Sequence, residues 1–273
     1  MPMIETDDEV ALYFKEWGPV DGPPVVLIHG WPLSADSWDD QALGLAQAGH
    51  RVIAYDRRGF GRSDQPWDGY DYDTLADDLA AVVEATEAED AALVGFSMGG
   101  GEIARYLSRH GGASKVALIA SVVPFLMQTD SHPEGAPQSV FDEIKIGLKT
   151  DRAKFLHGFM KDFYGVGVIS HPVSDAQIDW SVAVALQAGL KGTLDCVDAF
   201  SSTDFRPDLA SFTMPTLIIH GTADVTVPID ITARAAAKAI PHAKLIEYDG
   251  APHGLLATHK DDVTRDLLAF LAE

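Results

Sequence analysis

A single cysteine, Cys196, stands among 273 residues. No intramolecular disulfide can form, so packing alone must hold the fold, which fits a reducing compartment. Positive charge is scarce: 20 Lys and Arg oppose 41 Asp and Glu, giving a net charge of −21. Nucleic acids and anionic membranes both require a positive footprint, so neither is an expected partner. Long apolar runs are missing too. The longest, 117–127, is interrupted by Ser121 and Pro124 and falls well short of the roughly 20 residues of a membrane-spanning helix. The first eight residues hold no basic stretch followed by an apolar one. No export signal is expected there, and the expected location is the cytoplasm. Neither a His-Glu-x-x-His motif nor a Cys/His cluster at ligand spacing occurs, leaving metal chemistry without support.

What is present describes a globular chain. A hydrophobic content of 47% excludes a disordered polypeptide. Folding at this length buries roughly three quarters of the extended chain's surface, enough for one large core. Short apolar runs at 25–28, 52–55, 91–94, 116–120, 216–219 and 244–248 alternate with amphipathic stretches at 75–83, 103–107, 232–240 and 263–271. Runs apolar on both faces suit a parallel sheet covered by helices, so the expected class is α/β. The middle breaks this rhythm. From 124 to about 209 the apolar residues are aromatic-rich and helix-like, among them Phe141, Ile144, Phe155, Phe159, Phe163, Trp180 and Leu186. The expected organisation is a single domain over 1–273 with a helical cap inserted at about 124–209.

The strongest chemical signal is Gly95-Phe96-Ser97-Met98-Gly99. The G-x-S-x-G pattern is common by chance, but here it follows an apolar strand and opens a helix, the setting of a nucleophile elbow. Only glycines at the flanks let strand and helix approach closely enough to lift a serine hydroxyl above a sheet. No phosphate-loop lysine accompanies it. A carboxylate-nucleophile hydrolase is also excluded, since the apex is Ser97 and the nearby acids, Asp90 and Glu102, lie off it.

A serine hydroxyl needs a base. His253, in Gly250-Ala251-Pro252-His253-Gly254, sits in a loop beyond the last strand, on the same rim of the sheet as Ser97. His29 and His220 also follow strand runs, where buried hydrogen-bonded histidines are equally expected. The orienting carboxylate is assigned to Asp224, just past the strand at 216–219. Its rival Asp230 is expected inside the following helix. The order Ser97, Asp224, His253 is that of α/β-hydrolases. Two backbone amides must hold the oxyanion: Met98 after the nucleophile, and Trp31 in His29-Gly30-Trp31-Pro32, since Pro32 has no N–H. Trp31, Phe125, Leu126, Phe200, Ile229 and Leu255 are candidate walls of a substrate pocket.

Several segments together make the resemblance specific. These are 29–36, the double-arginine stretch Asp56-Arg57-Arg58-Gly59-Phe60-Gly61-Arg62-Ser63, the triple glycine after Met98, 195–206, and Ala251-Pro252-His253-Gly254. The chain resembles, from about residue 4 to its end, the cofactor-free haloperoxidase (non-haem chloroperoxidase) and aryl-esterase group of the α/β-hydrolases. The resemblance implies a serine esterase fold with a helical cap and no cofactor. It also implies that hydrogen peroxide can replace water as acyl acceptor, giving a peracid. Two departures concern the pocket: the acid loop Gly221-Thr222-Ala223-Asp224 is less acidic than the group's pattern, and Leu255 stands where an aromatic is common. The expected substrate is a small-molecule ester or acid. Two alternatives stay open: an amidase on small cyclic amides, which shares every catalytic residue, and a non-catalytic receptor keeping the hydrolase fold. Homo-oligomerisation is left open as well.

Overall fold

The computed structural model describes residues 2–273; Met1, at the head of the segment read above for an export signal, lies outside the described residues. The strands are β1 (Met3–Glu5), β2 (Ala11–Trp17), β3 (Pro24–Ile28), β4 (Arg51–Tyr55), β5 (Ala92–Phe96), β6 (Lys115–Ile119), β7 (Thr216–Gly221) and β8 (Lys244–Tyr248). They form one eight-stranded sheet in the order β1-β2-β4-β3-β5-β6-β7-β8. Strands β3 to β8 pair in parallel, while β1 and β2 join antiparallel at one edge. The six runs read as strands are all strands, and the sheet is mostly parallel as expected. The two edge strands escape that reading for a physical reason. β1 is three residues long, and β2 is half-exposed, with Lys15 and Glu16 interrupting its apolar residues. A half-exposed strand carries no continuous apolar run.

The helices are α1 (Asp39–Gln47), α2 (Tyr72–Ala85), α3 (Met98–Arg109), α4 (Gln138–Thr150), α5 (Arg152–Phe163), α6 (Asp175–Gln187), α7 (Leu190–Ser202), α8 (Ala233–Ala239), α9 (Leu255–Thr258) and α10 (Lys260–Ala272). α2 shows why they form. The Asp71 side chain accepts from the Asp73 and Thr74 amides at 3.0 Å each, and Leu75, Leu79, Val82 and Val83 bury one face. α1 packs against α10, and α2 against α3. Between β6 and β7 the chain leaves the sheet and forms α4 to α7; α4 packs on α5 and α7, and α5 on α6. Among the described residues no helix is long and apolar enough to cross a membrane.

The double-arginine segment is interior. Arg57 is fully buried and pairs with the equally buried Glu102 of α3; its Nη2 donates to His29 O at 2.6 Å. Tyr55 Oη donates to the other Glu102 oxygen at 2.7 Å. Arg58 donates through Nε to Asp78 of α2 at 2.6 Å and through Nη1 to Asp8 at 2.8 Å. His29 Nε2 accepts from the Arg57 amide at 3.0 Å. Burial, and Arg57 beside it, hold the His29 ring well below the usual histidine range.

Two outcomes follow from this interior. Arg57→Met leaves a buried carboxylate unpaired and should lower the unfolding free energy by about 3–5 kcal/mol, read from denaturant midpoints. The double variant Arg57→Met/Glu102→Met should lose less. Burial pushes the Cys196 thiol up to about 12, so it should stay inert to thiol reagents near neutral pH until denaturant is added.

Candidate active site

Ser97 stands between β5 and α3 with φ 54° and ψ −117°, a region sparsely populated by side-chain-bearing residues. Its amide donates to Ile119 O at 2.8 Å, anchoring the turn to the neighbouring strand β6. Glycine is required on both sides. A Cβ on Gly95 would lie 2.7 Å from Gly99 O, and one on Gly99 would lie 2.5 Å from Ile28 O. The turn therefore brings strand and helix into backbone contact and leaves the Ser97 side chain free of any helix-capping bond.

His253 and Asp224 arrive from loops after β8 and β7, the strands beyond β6 on the same side of Ser97. His253 Nε2 lies 2.9 Å from Ser97 Oγ, and Nδ1 lies 2.6 Å from Asp224 Oδ2. An ionised carboxylate only accepts, so Nδ1 carries the proton and Nε2 is left to accept from the serine hydroxyl. The ring is wedged between Phe96, at 5.1 Å between centroids, and Phe163 of α5, edge-on at 4.9 Å. Asp224 Oδ1 accepts from the Thr226 and Val227 amides at 2.9 and 2.8 Å. Burial works to raise its carboxyl, but the adjoining His253 and His220 rings outweigh it and hold it well below the usual range. Asp230 is elsewhere. It lies in the turn ahead of α8 rather than inside that helix, largely exposed, and accepts from Arg234 at 2.7 Å.

Trp31 and Met98 flank the serine. Met98 opens α3, where a helical amide has no intrahelical acceptor. Among the described residues neither amide donates to a protein group. The Trp31 indole donates to Thr193 O of α7 at 3.0 Å, and its ring meets Phe159 and Phe200 edge-on at 5.2 and 5.7 Å. Trp31, Leu126 and Phe200 line, with Ser97, a cavity of about 210 Å3. Phe125, Ile229 and Leu255 are buried but do not line it. The Phe125 ring lies against His132 and beneath Arg206, and Leu255 opens α9. The remaining wall comes from Phe141 and Ile144 of α4, Phe159 of α5, and Val225 to Pro228 after the acid. The aromatic periodicity of residues 124–209 was legible, but not which of these residues turn toward the serine. The valines beside Asp224 were visible as well, without any periodic element to give them a face.

The folded-state Asp224 carboxyl is depressed, so the stability it contributes is complete above the usual carboxylate range and is lost progressively as pH falls from that range to the depressed folded value. Asp224→Asn should be less stable than the parent by about 1–3 kcal/mol at neutral pH. The gap should begin to narrow below about pH 4 and go on narrowing toward lower pH, as followed by denaturant titrations over a pH series.

Comparison with known proteins agrees with this geometry. A family model described as the alpha/beta hydrolase fold matches residues 23–260. A non-heme chloroperoxidase of Kitasatospora aureofaciens is 42% identical over 275 residues, covering 99% of both chains. A bifunctional esterase/perhydrolase of Acinetobacter calcoaceticus is 41% identical over 274 residues, again covering 99% of both. The crystal structure of a bromoperoxidase from Bacillus anthracis superposes with a TM-score of 0.95 at 46% identity, covering 100% of this chain and 99% of that one. The chain therefore belongs to the α/β-hydrolase fold family and, within it, to the group of the non-heme haloperoxidases.

Proposed function

We propose that this protein is a serine hydrolase of carboxylic esters that works through an acyl-enzyme and can pass the acyl group to hydrogen peroxide as well as to water. Ser97 is the nucleophile, His253 the general base and Asp224 its orienting carboxylate. The observation that carries the reading is the continuous chain of 2.9 and 2.6 Å from Ser97 Oγ through His253 to Asp224, at the edge of an apolar cavity. We further read the chain as one catalytic unit, with α4 to α7 acting as a cap that supplies Phe141, Ile144 and Phe159 to the acyl wall.

The steps follow from the geometry. His253 Nε2 takes the hydroxyl proton as Ser97 Oγ attacks the ester carbonyl. The oxyanion develops toward the amides of Trp31 and Met98, which are unengaged by protein acceptors. Each such donor is worth on the order of 10²–10³ in rate. His253 then protonates the leaving alkoxide, giving the alcohol and the acyl-serine. In the second half, His253 takes a proton from water and the acyl-serine ester is cleaved, releasing acid and restoring Ser97. With peroxide in place of water the same exchange yields a peracid and the free serine. The oxygen–oxygen bond enters intact with the peroxide, so no redox centre is required for this step. The relatives named as chloroperoxidases and as an esterase/perhydrolase support this second acceptor. A cavity of about 210 Å3 suits small-molecule esters with compact acyl groups.

The test is p-nitrophenyl acetate hydrolysis with and without hydrogen peroxide, quantifying nitrophenol, acetate and peracetate. Ser97→Ala should lower turnover by roughly 10⁶ with the fold intact. Nitrophenol accompanied by peracetate supports both acceptors, and acetate alone removes the peroxide half. Undiminished turnover in Ser97→Ala would overturn the mechanism.

A further inference from the structure

Asp224 has a second histidine. His220, near the end of β7, is fully buried, and its Nε2 lies 2.8 Å from Val227 O and 3.2 Å from Asp224 Oδ2. A carbonyl and an ionised carboxylate only accept, so Nε2 carries the proton, donating to Val227 O with the Asp224 carboxylate beside it. Nδ1 is buried with no hydrogen-bond partner. Hydrogen-bonded buried polar atoms are the rule, and an exception asks for a reason. Here the ring is placed for one N–H alone, directed at the two ends of the loop 224–227.

That loop is closed on itself. Asp224 Oδ1 accepts from Thr226 N and Val227 N, Oδ2 accepts from His253 and lies 3.2 Å from His220 Nε2, and the Val227 carbonyl accepts from His220. The segment from Val225 to Pro228 forms one wall of the cavity in front of Ser97. We propose that His220 is a positioning residue of the acyl-transfer site, whose single N–H holds the Asp224 carboxylate toward His253 and fixes the adjoining wall of the acyl cavity. This rests on the reading of Ser97, His253 and Asp224 given above.

The charged and titratable groups around the ring are few. Asp224 and His253 face it from the loops after β7 and β8. Glu247 is its register partner on β8, with its carboxylate held by Arg234 of α8 at 2.6 Å. Taking away the His220 donor leaves more of the Asp224 charge to act on His253 and releases a carboxylate torsion that is intrinsically soft. The acid side of the activity profile should then move to higher pH.

The experiment compares the full chain with His220→Leu and His220→Gln on p-nitrophenyl acetate across about pH 5 to 9, with Ser97→Ala run separately. His220→Leu should lose about ten- to a hundredfold in kcat/KM, the weight of one hydrogen bond to a charged group. Its acid limb should shift upward. The amide of His220→Gln reaches the Nε2 position and should restore most of the activity and return the limb. A His220→Leu enzyme equal to the parent would overturn the proposal. So would Leu and Gln variants equally impaired with an unmoved limb, which is the signature of a purely structural role. If His220→Leu does not fold, His220→Asn takes its place, because its amide is too short to reach Asp224. It must then show the loss and the shifted limb, and parental behaviour would overturn the inference. An active Ser97→Ala sinks the underlying mechanism instead. An inactive one beside a normal His220→Leu sinks this inference only.

Discussion

A serine at φ 54° and ψ −117° occupies backbone space that costs on the order of 1–3 kcal/mol for a residue with a Cβ. Such a conformation survives only where its surroundings over-determine it. Here the determination is steric and comes from several directions. β5 hands the chain to α3 with the two backbones in contact at Gly95 and Gly99, and the amide of Ser97 is fixed on β6. Relaxing the serine would pull α3 off the sheet, and α3 carries Ile103, Ala104 and Leu107 into the core together with Glu102. The strain thus draws on the burial of a whole helix. The same turn leaves the Met98 amide without an intrahelical acceptor.

Glu102 explains why so acidic a chain keeps cations in its interior. Four residues after the start of α3, it is fully buried between Arg57 and Tyr55, and Arg57 in turn fastens His29 and the carbonyl before Gly30. The loop that presents Trp31 is therefore tied to the helix that begins at Met98 by a buried ion pair rather than by apolar contact. An ion pair is a poor source of net stability, but it tolerates little displacement once desolvated. If the Trp31 and Met98 amides converge on one oxygen atom, as the proposed mechanism has it, that stiffness matters more than the free energy. The excess of acidic residues stays largely at the surface, where it sets solubility and not the fold.

Much of this architecture was legible in the residues. The six central strands announced themselves because both their faces are covered, and the helix after Ser97 because its apolar positions repeat. The three side chains now joined by hydrogen bonds were each identifiable by the strand that precedes them. What the sequence hid had lost its periodicity. β2 is one-sided and half-exposed. The Asp224 loop is irregular, so neither the placement of its valines nor the approach of His220 to the Asp224 carboxylate follows from spacing. That Phe125, Ile229 and Leu255 do not line the cavity beside Ser97 was hidden for a related reason. All three are apolar and close in sequence to site loops, but burial against other side chains and burial against an open cavity look the same in one dimension.

The cap and the acid loop share the consequence. Phe163 of α5 closes the edge of His253 while Phe159, one turn earlier, lines the acyl cavity and meets Trp31. Trp31 is itself hydrogen-bonded through its indole to α7. On the opposite wall, Val225 to Pro228 follow directly on Asp224. α5, α7 and the loop after β7 each shape the cavity and also hold a group to which the proposed mechanism gives a role. Enlarging the cavity by reshaping α5 or the acid loop should disturb the base, the acid or the oxyanion donor in the same stroke. α4, whose Phe141 and Ile144 line the cavity, makes none of these hydrogen bonds and is coupled to Trp31 only indirectly, through the Phe141–Phe200 contact. Variation in acyl preference among chains of this fold should then concentrate in that helix, because it is the wall least constrained by the chemistry.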